Sequence, residues 1–180
     1  MSKATGDARL FYFIMYTKKV IDFFRNPKNY GKIKNPDGVG KVGNVVCGDV
    51  MWLYIKVGKN KQGQDLIKEV KFETFGCVAA IATSSKITQL AKGKTLKKVL
   101  TISKDAIVKS LGGLPPIKLH CSVLAVDALS EAIFAYLSKN KRKIPAELQK
   151  RHERIRQERK IIEEKYKDWI KTEEQMHNGE

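Results

Sequence analysis

Cysteine is scarce in this chain, which carries only three thiols in 180 residues, at Cys47, Cys77 and Cys121. An odd number of widely separated cysteines fits neither a disulfide framework nor a paired C-x-x-C zinc knuckle. We therefore expect a reducing compartment, in which the thiols are free or bound to metal. Permanent iron-sulfur clusters usually have four thiolate ligands. Three thiolates with an oxygen or imidazole donor would hold iron and sulfur loosely.

Long hydrophobic runs are missing near the start of the chain. The longest one, 10–16, has seven residues, whereas a bilayer span needs ~20. The residues before it include Asp7 and, as cations, only Lys3 and Arg9. This composition matches neither a secretory signal nor an arginine-rich transit peptide. The sequence predicts a cytoplasmic protein without a membrane span.

Acidic residues are few relative to basic ones, 19 against 35, which gives a formal net charge of +16. The positive charge is spread along the chain as a general lysine coat. Aromatic residues do not alternate with the basic ones as base-stacking surfaces require, so the pattern argues against nucleic acid and favours an acidic protein partner or solubility. With 42% hydrophobic residues, the chain has enough apolar surface for one compact domain and an appendage.

The first part of the chain is predicted to form a short helix and then a hairpin. Thr17 is suited to cap a helix that ends before Pro27. A glycine-rich stretch over 31–47 is interpreted as a loop. Apolar and polar residues then alternate over 50–57 and 69–73, which is typical of two strands joined by a polar turn.

The second part is predicted to be helical. Helical spacing runs from Cys77 to Gly93, two short helices follow, and a long helix begins near Cys121. Strands followed by helices indicate an α+β fold. Pro145 is suited to open a charged helix over about 146–171, which either lies along the domain in solvent or forms a seam with another chain. Its thin stripe repeats every seven residues, at Leu148, Ile155, Ile162 and Trp169, with polar members at His152, Arg159 and Tyr166.

The cysteines have neighbours that suit metal chemistry. Cys47 and Asp49 flank Gly48, and in an extended segment positions i and i+2 face the same side. A thiolate and a carboxylate there could bind one metal, and the hard oxygen would make that corner exchangeable. Cys77 and Cys121 each stand at a predicted helix start, where unsatisfied backbone N–H groups favour a reactive thiolate.

Two further side chains stand beside the last cysteine. His120 adds an imidazole, and Lys118 adds a cation that would compensate the charge of thiolates and sulfides. The residues alone leave open a plainer alternative, in which three buried, inert cysteines accompany a hydrogen-bonded histidine. Longer motifs are needed to choose between the two interpretations.

Four longer motifs favour the metal site over the inert cysteines, because their order and spacing match those of a known family. They are YTKKVID at 16–22 leading to Asn26-Pro27, CGDVM at 47–51, FGC at 75–77 before a small-residue helix with Ser84-Ser85, and LPPIKLHCS at 114–122. Through them the stretch from Tyr16 to about Leu137 resembles the IscU/NifU-type iron-sulfur cluster scaffold family. The resemblance implies a three-stranded antiparallel sheet with helices packed on one face, and a solvent-near site where the cysteines converge.

The resemblance also implies an activity. Such a protein accepts persulfide sulfur from a cysteine desulfurase, binds Fe²⁺, builds a [2Fe-2S] cluster and transfers it to apo-proteins, acting as a scaffold and not as an enzyme. Cys121 matches the persulfide acceptor of the family. Asp49, Cys77 and His120 match the iron-binding set, and Cys47 completes the cluster ligands. Zn²⁺ is expected at the same site when no cluster is present.

Further partners follow from the resemblance: frataxin-like proteins, ferredoxin, apo iron-sulfur acceptors, and an Hsp70 with its J-protein. The Hsp70 would grip a stiff, extended Pro-Pro segment, which loses little entropy on binding. Tyr16 matches a residue that can associate between two subunits, which makes it a candidate contact in a homodimer. The chaperone-binding residues would be Leu114, Pro115, Pro116, Ile117 and Lys118.

Three segments are expected: an N-terminal extension at 1–15, the scaffold domain at 16–140, and a charged helical extension at 141–180. Val78 departs from the glycine that many relatives have after this cysteine. The SufU branch of the family generally lacks the histidine found here at His120, so the resemblance favours the IscU side. The alternative function is a stable zinc-binding interaction module whose basic surface and C-terminal helix bind RNA or protein.

Overall fold

The computed structural model of this protein describes residues 15–44 and 48–165. Cys47, Tyr166 and Trp169 lie outside the described residues, as does the side chain of Ile162. The predictions made for these positions therefore stay predictions.

The first helix, α1, spans Lys18–Arg25 and is capped by Thr17 as predicted. The Thr17 side chain accepts a hydrogen bond from the Val20 N–H at 3.2 Å, and its hydroxyl donates to the Leu111 carbonyl at 2.5 Å. One side chain thus satisfies a free N–H of the first helical turn and ties the helix to a distant loop.

Three strands form one antiparallel sheet in the order β1-β2-β3, with β1 at Gly38–Asn44, β2 at Asp49–Lys59 and β3 at Asp65–Phe75. Along β2, buried Met51 and Leu53 alternate with half-buried Trp52 and Tyr54. The alternation arises because successive side chains of a strand point to opposite faces. The predicted hairpin of β2 and β3 and the α+β class are confirmed.

Helices follow the strands, as predicted, and cover the sheet face that carries Met51 and Leu53. The long helix meets the length and apolarity needed to cross a membrane over Pro116–Lys139, but 67% of that window is buried within the fold, as in the core helix of a globular domain. The helices are α2 at Val78–Ala91, α3 at Leu96–Val99, α4 at Lys104–Ser110, α5 at Leu119–Lys139 and α6 at Ala146–Lys165.

Strand β1 corrects the interpretation of 31–47 as a loop. A Cβ atom built on Gly38 would lie 2.1 Å from the Ala132 carbonyl oxygen, and one on Gly40 would lie 2.0 Å from that of Ala128. The glycines therefore let the backbone of β1 approach the backbone of α5 directly. Glycine normally weakens a strand, so the local pattern indicated a loop, and only the packing of α5 explains these residues.

Helix α6 lies along its own domain, which is the first of the two alternatives considered for it. Leu148 and Ile155 are buried in the core. Between them the His152 ring stacks on Phe134 of α5, with ring centroids 3.7 Å apart and planes within 7°. The seven-residue stripe of the described part of α6 therefore faces α5.

Candidate metal centre

Three predicted ligands that are remote in sequence meet at one end of the molecule. Asp49 is the first residue of β2 and Cys121 lies in the first turn of α5. Cys77 is the N-cap of α2, and Gly76 alone separates it from the end of β3 at Phe75. The register of the sheet brings the start of β2 beside the end of β3, because Val50 pairs with Phe75. The N-termini of α2 and α5 reach the same point.

The three donor atoms form a nearly equilateral triangle. Cys77 Sγ lies 3.7 Å from Cys121 Sγ, and Asp49 Oδ2 lies 3.6 Å from Cys121 Sγ and 3.9 Å from Cys77 Sγ. A tetrahedral ion with metal-sulfur bonds of about 2.3 Å separates two thiolates by about 3.8 Å. These side chains therefore match one face of a tetrahedral coordination shell, and the three form a possible metal-binding group.

Of the two remaining predicted ligands, His120 lies at the edge of this triangle, and Cys47 lies outside the residues that the structure describes. His120 Nε2 is 3.5 Å from Cys121 Sγ, so the imidazole stands beside one corner. Cys47 is not described, but Gly48 after it has φ 68°, a left-handed conformation that glycine adopts readily. The assumption that Gly48 is extended, on which the same-side argument for Cys47 and Asp49 rested, is therefore wrong.

The Asp49 carboxylate is positioned by the backbone at Gly76 and Cys77. The Cys77 N–H donates to Asp49 Oδ1 at 3.3 Å. A Cβ atom on Gly76 would stand 2.8 Å from that same oxygen and 3.0 Å from Ala80 Cβ. Glycine is thus needed at position 76 for the carboxylate to reach the two sulfurs. Its place between a strand and a helix N-cap is the sequence signal for this role.

The electrostatics of the site favour one thiolate. The pKa of the Cys77 thiol is lowered to about 6, chiefly because the Cys121 thiol donates a hydrogen bond to it. Burial opposes this shift, the Ala80 N–H and Lys118 support it, and the negative charge of Asp49 works against it. At neutral pH Cys77 is therefore mainly ionised, as expected for a ligand at a helix N-terminus.

The site is more enclosed than the sequence predicted. Cys121 has 0% exposed surface and Asp49 has 3%, whereas Cys77 is half-buried. Burial arises because α2 packs against the first turn of α5, where the Thr83 hydroxyl donates to the Cys121 carbonyl at 3.1 Å. The expectation of a solvent-near site with an accessible thiolate at Cys121 is therefore wrong for this conformation.

Several exposed apolar side chains lie close in sequence to the enclosed donors. Phe75 is 78% exposed, Ile117 is 67% exposed and Leu119 is 41% exposed, and each lies within four residues of Cys77 or Cys121. Phe75 and Leu119 belong to the sequence motifs at 75–77 and 114–122, but the sequence assigned them no role, because apolar residues beside a strand end or a helix start are usually part of the core. Large apolar side chains exposed beside a site are typical of an interaction surface.

The Pro-Pro segment is only partly extended. Pro115 has φ −55° and ψ 141°, but Pro116–Lys118 form one turn of 3₁₀ helix that leads into α5. The expectation of a continuous extended peptide is therefore wrong beyond Pro115, because the turn joins the segment to the helix that carries Cys121. Whether a chaperone binds Leu114 to Lys118 stays a prediction.

Tyr16 lies inside the fold. Its side chain is 7% exposed and belongs to the hydrophobic core. A contact between two subunits through this ring would require Tyr16 to leave that core. Its role in a homodimer therefore stays a prediction with a clear structural cost.

Comparison with known proteins places the chain in a family. The family profile described as NifU-like N terminal domain matches residues 15–143. The chain belongs to this family. An IscU iron-sulfur cluster assembly scaffold protein of Archaeoglobus fulgidus is 57% identical over 126 residues, which cover 70% of this chain and 79% of that protein. IscU of Azotobacter vinelandii is 50% identical over 127 residues, which cover 69% of this chain and 95% of the relative.

Solved structures agree with the fold. A putative iron-sulfur cluster assembly scaffold protein for the SUF system from Fervidobacterium islandicum is 25% identical, with a TM-score of 0.54, covering 67% of this chain and 97% of that one. A NifU-like N-terminal protein of Brucella abortus is 21% identical with a TM-score of 0.54, over 69% of this chain and 96% of that one, and this likeness concerns the fold alone. The two IscU relatives have higher identities than either structure.

Proposed function

We propose that this protein is an iron-sulfur cluster assembly scaffold, which receives sulfur and iron, builds a [2Fe-2S] cluster and passes it to apo-proteins. The observation that carries the proposal is the triangle formed by Asp49, Cys77 and Cys121 in a chain 57% identical to an IscU scaffold. Its relatives are named scaffold proteins. The protein therefore holds the cluster as cargo and is not itself an enzyme.

Sulfur enters, in this proposal, at Cys121. The Cys121 thiol passes its proton to the Cys77 thiolate 3.7 Å away, and its sulfur attacks the outer sulfur of a persulfide on a cysteine desulfurase; a new S–S bond forms at Cys121, the S–S bond of the donor breaks, and the donor cysteine leaves as a thiolate. Because Cys121 is buried, the first turn of α5 must open before this attack. The exposed side chains of Ile117 and Leu119 stand on that segment, where a docked partner could pull it outward.

Iron is held by the same donor set. Cys77 and Asp49 supply a thiolate and a carboxylate, and His120 and Cys47 are proposed to complete the ligands as the cluster grows. A hard carboxylate is a poorer match for a cluster than a thiolate, which makes the Asp49 corner exchangeable and favours release. Fe²⁺ is the proposed substrate ion, and Zn²⁺ is the proposed occupant when no cluster is bound.

Partners are proposed from the family resemblance, and the exposed apolar side chains near the donors support the proposal. The apolar surface formed by Phe75, Ile117 and Leu119 is suited to a sulfur donor and then to an apo acceptor, since both must reach the enclosed donors. The specific proposals are a cysteine desulfurase, an Hsp70 with its J-protein, frataxin-like proteins, ferredoxin and a second copy of the chain. The cytoplasm is the proposed compartment, although relatives include mitochondrial proteins such as that of Debaryomyces hansenii.

Residues 16–140 are proposed to be the scaffold domain, preceded by an extension at 1–15 and followed by one at 141–180. The alternative of a zinc module that binds RNA receives no support from the comparisons, in which the matching proteins are cluster scaffolds. Removal of 141–180 is expected to leave the donor triangle able to bind metal, because α6 packs on α5 beyond its first turns.

Reconstitution tests the proposed function. Anaerobic protein given Fe²⁺, cysteine and a desulfurase should develop the visible absorption of a [2Fe-2S] cluster and pass it to apo-ferredoxin, whereas a permanent zinc module would not. Asp49→Ala should slow this transfer, and Asp22→Ala, at an exposed position of α1, is the matched control. Transfer by Asp49→Ala at the parent rate or faster would contradict the role of the carboxylate.

A further inference from the structure

An apolar cavity lies far from the donor triangle. It has a volume of about 560 Å³ and is walled by α3, the C-terminal end of α5 and the first two turns of α6. Its apolar lining comes chiefly from Leu96, Leu100, Leu137 and Leu148. Sixteen residues of α5 separate Cys121 from Leu137, or about 24 Å along a helix axis. The cavity is therefore distinct from the cluster site.

The size and lining of this cavity are those of a small-molecule site. Ligand pockets typically measure about 300–1,000 Å³, are lined mainly by apolar side chains and carry a few charged groups that orient the ligand. Helix α6 closes one wall with Leu148, which is 3% exposed. The pocket exists only because the charged helix folds back on the domain.

The charges at the rim are predominantly positive. Lys97, Lys143 and Arg151 line the cavity together with a single acidic residue, Glu147. Arg151 already donates to the Ser130 hydroxyl at 2.7 Å, so the two lysines are the cations best placed to meet a ligand. The net positive rim over an apolar floor complements a molecule with an aliphatic body and one anionic end.

A second, more polar cavity adjoins the first at Leu96, Lys97 and Thr101. It has a volume of about 770 Å³ and adds Lys94 and Lys98 to the lining. Its one acidic residue, Asp65, is already paired with Lys59 and Arg142. The shared lip thus separates an apolar space from a polar, lysine-rich one. An amphipathic anion that spans these shared residues would bury its aliphatic tail in the apolar cavity and place its anionic group beside the lysines.

We propose that this pair of cavities binds an aliphatic carboxylate of medium chain length, with its tail among the leucines and its carboxylate beside Lys97 and Lys143. The ligand would contact α3, α5 and α6 together and so hold α6 against the domain. Because the pocket uses none of the donor residues, binding there is independent of whether the protein carries a cluster.

Calorimetry with the full chain and dodecanoate, below its micelle concentration, tests the proposal. One molecule should bind per chain, and each methylene removed, through decanoate to octanoate, should weaken binding about threefold to fourfold. Dodecylamine, which has the same tail and the opposite charge, should bind at least about tenfold more weakly. Amide exchange should slow over 146–151 when dodecanoate is bound.

Variants locate the binding. The double substitution Lys97→Glu with Lys143→Glu should weaken dodecanoate binding about tenfold or more, because it reverses the charge at the rim. Lys34→Glu, an exposed change outside both cavities, is the control and should leave binding unchanged. Equal binding of dodecylamine, equal weakening by Lys34→Glu, or protection from exchange confined to segments other than α3, α5 and α6 would overturn the proposal. The ligand series with the unaltered chain tests it even if the double variant fails to fold.

Discussion

Buried acidic side chains near the N-terminus of helix α5 and further along it differ in their partners. At its N-terminal end the Asp49 carboxylate is approached by two thiols and one backbone N–H, and in the described residues it makes no salt bridge. Further along α5, Asp127 pairs with Arg154 at 2.8 Å and Glu131 with His152 at 2.9 Å. Among the described residues Asp49 thus has no basic side chain bonded to it, whereas Asp127 and Glu131 each have one.

The two regions differ in whether the chain supplies a basic side chain beside each buried acid. Burial raises the pKa of both Asp127 and Glu131, and their basic partners offset this only in part. Buried anions are costly unless they are paired. A cation bound beside Asp49 and Cys77, as proposed above, would offset the cost of burying their charges, whereas the acids that face α6 already have basic partners within the chain.

The largest expected effect is loss of the donor site. Cys121→Ser removes both a corner of the triangle and the proposed sulfur acceptor, so Zn²⁺ affinity should fall by about 100-fold or more and desulfurase-dependent assembly should stop. Chelator competition and visible absorption measure the two effects. An unchanged rate of assembly would exclude Cys121 as the sulfur acceptor.

The reactivity of Cys77 comes next. In metal-free protein its alkylation by iodoacetamide should have a midpoint near the lowered pKa of about 6, far below that of an ordinary thiol, about 8.5. In Cys121→Ala the midpoint should rise, because the main hydrogen bond to the thiolate is lost. A midpoint that stays the same in this variant would show that another group stabilises the Cys77 thiolate.

The lowered pKa of Cys77 also predicts how the stability of the folded protein changes with pH. A thiol whose pKa is lowered by folding stabilises the folded state at pH values above its unfolded pKa, and this contribution disappears as the pH falls through the folded pKa of about 6. As the pH falls from about 8.5 to about 6, the free energy of unfolding of the metal-free protein should therefore decrease by the contribution of Cys77. Cys77→Ala should not show this decrease. Urea unfolding of both proteins across this range measures the difference.

Gly76→Ala should have an intermediate effect. The added Cβ would meet Asp49 Oδ1 at 2.8 Å, so the carboxylate must turn away, which should lower metal affinity about tenfold or more and stability by about 1–3 kcal/mol. Gly43→Ala is the matched control, since its Cβ would meet nothing closer than 3.7 Å. Equal metal affinity in the two variants would show that the Asp49 position does not depend on Gly76.

The smallest effect is expected at the paired region. Arg154→Met leaves buried Asp127 without its cation and should lower stability by about 1–2 kcal/mol, measured by urea unfolding. Glu158→Gln breaks only the exposed pair between neighbouring turns of α6 and should cost at most about 0.5 kcal/mol. Metal affinity should stay unchanged in both variants. A fall in metal affinity with Arg154→Met would show that the two regions of α5 are coupled.

The sequence by itself determined the hairpin and the helix starts, because alternation and capping residues are local properties, and it singled out Asp49, Cys77 and Cys121 as candidate ligands, which the structure brings together. It determined neither the strand at Gly38–Asn44 nor the need for glycine at Gly76. Both depend on the distance to atoms that are remote in the chain, the α5 carbonyls in one case and the Asp49 carboxylate in the other. The tertiary structure alone decided that Cys121 is enclosed, that α6 faces its own domain, and which buried acids have a base beside them, since burial and pairing arise only when separate elements pack together.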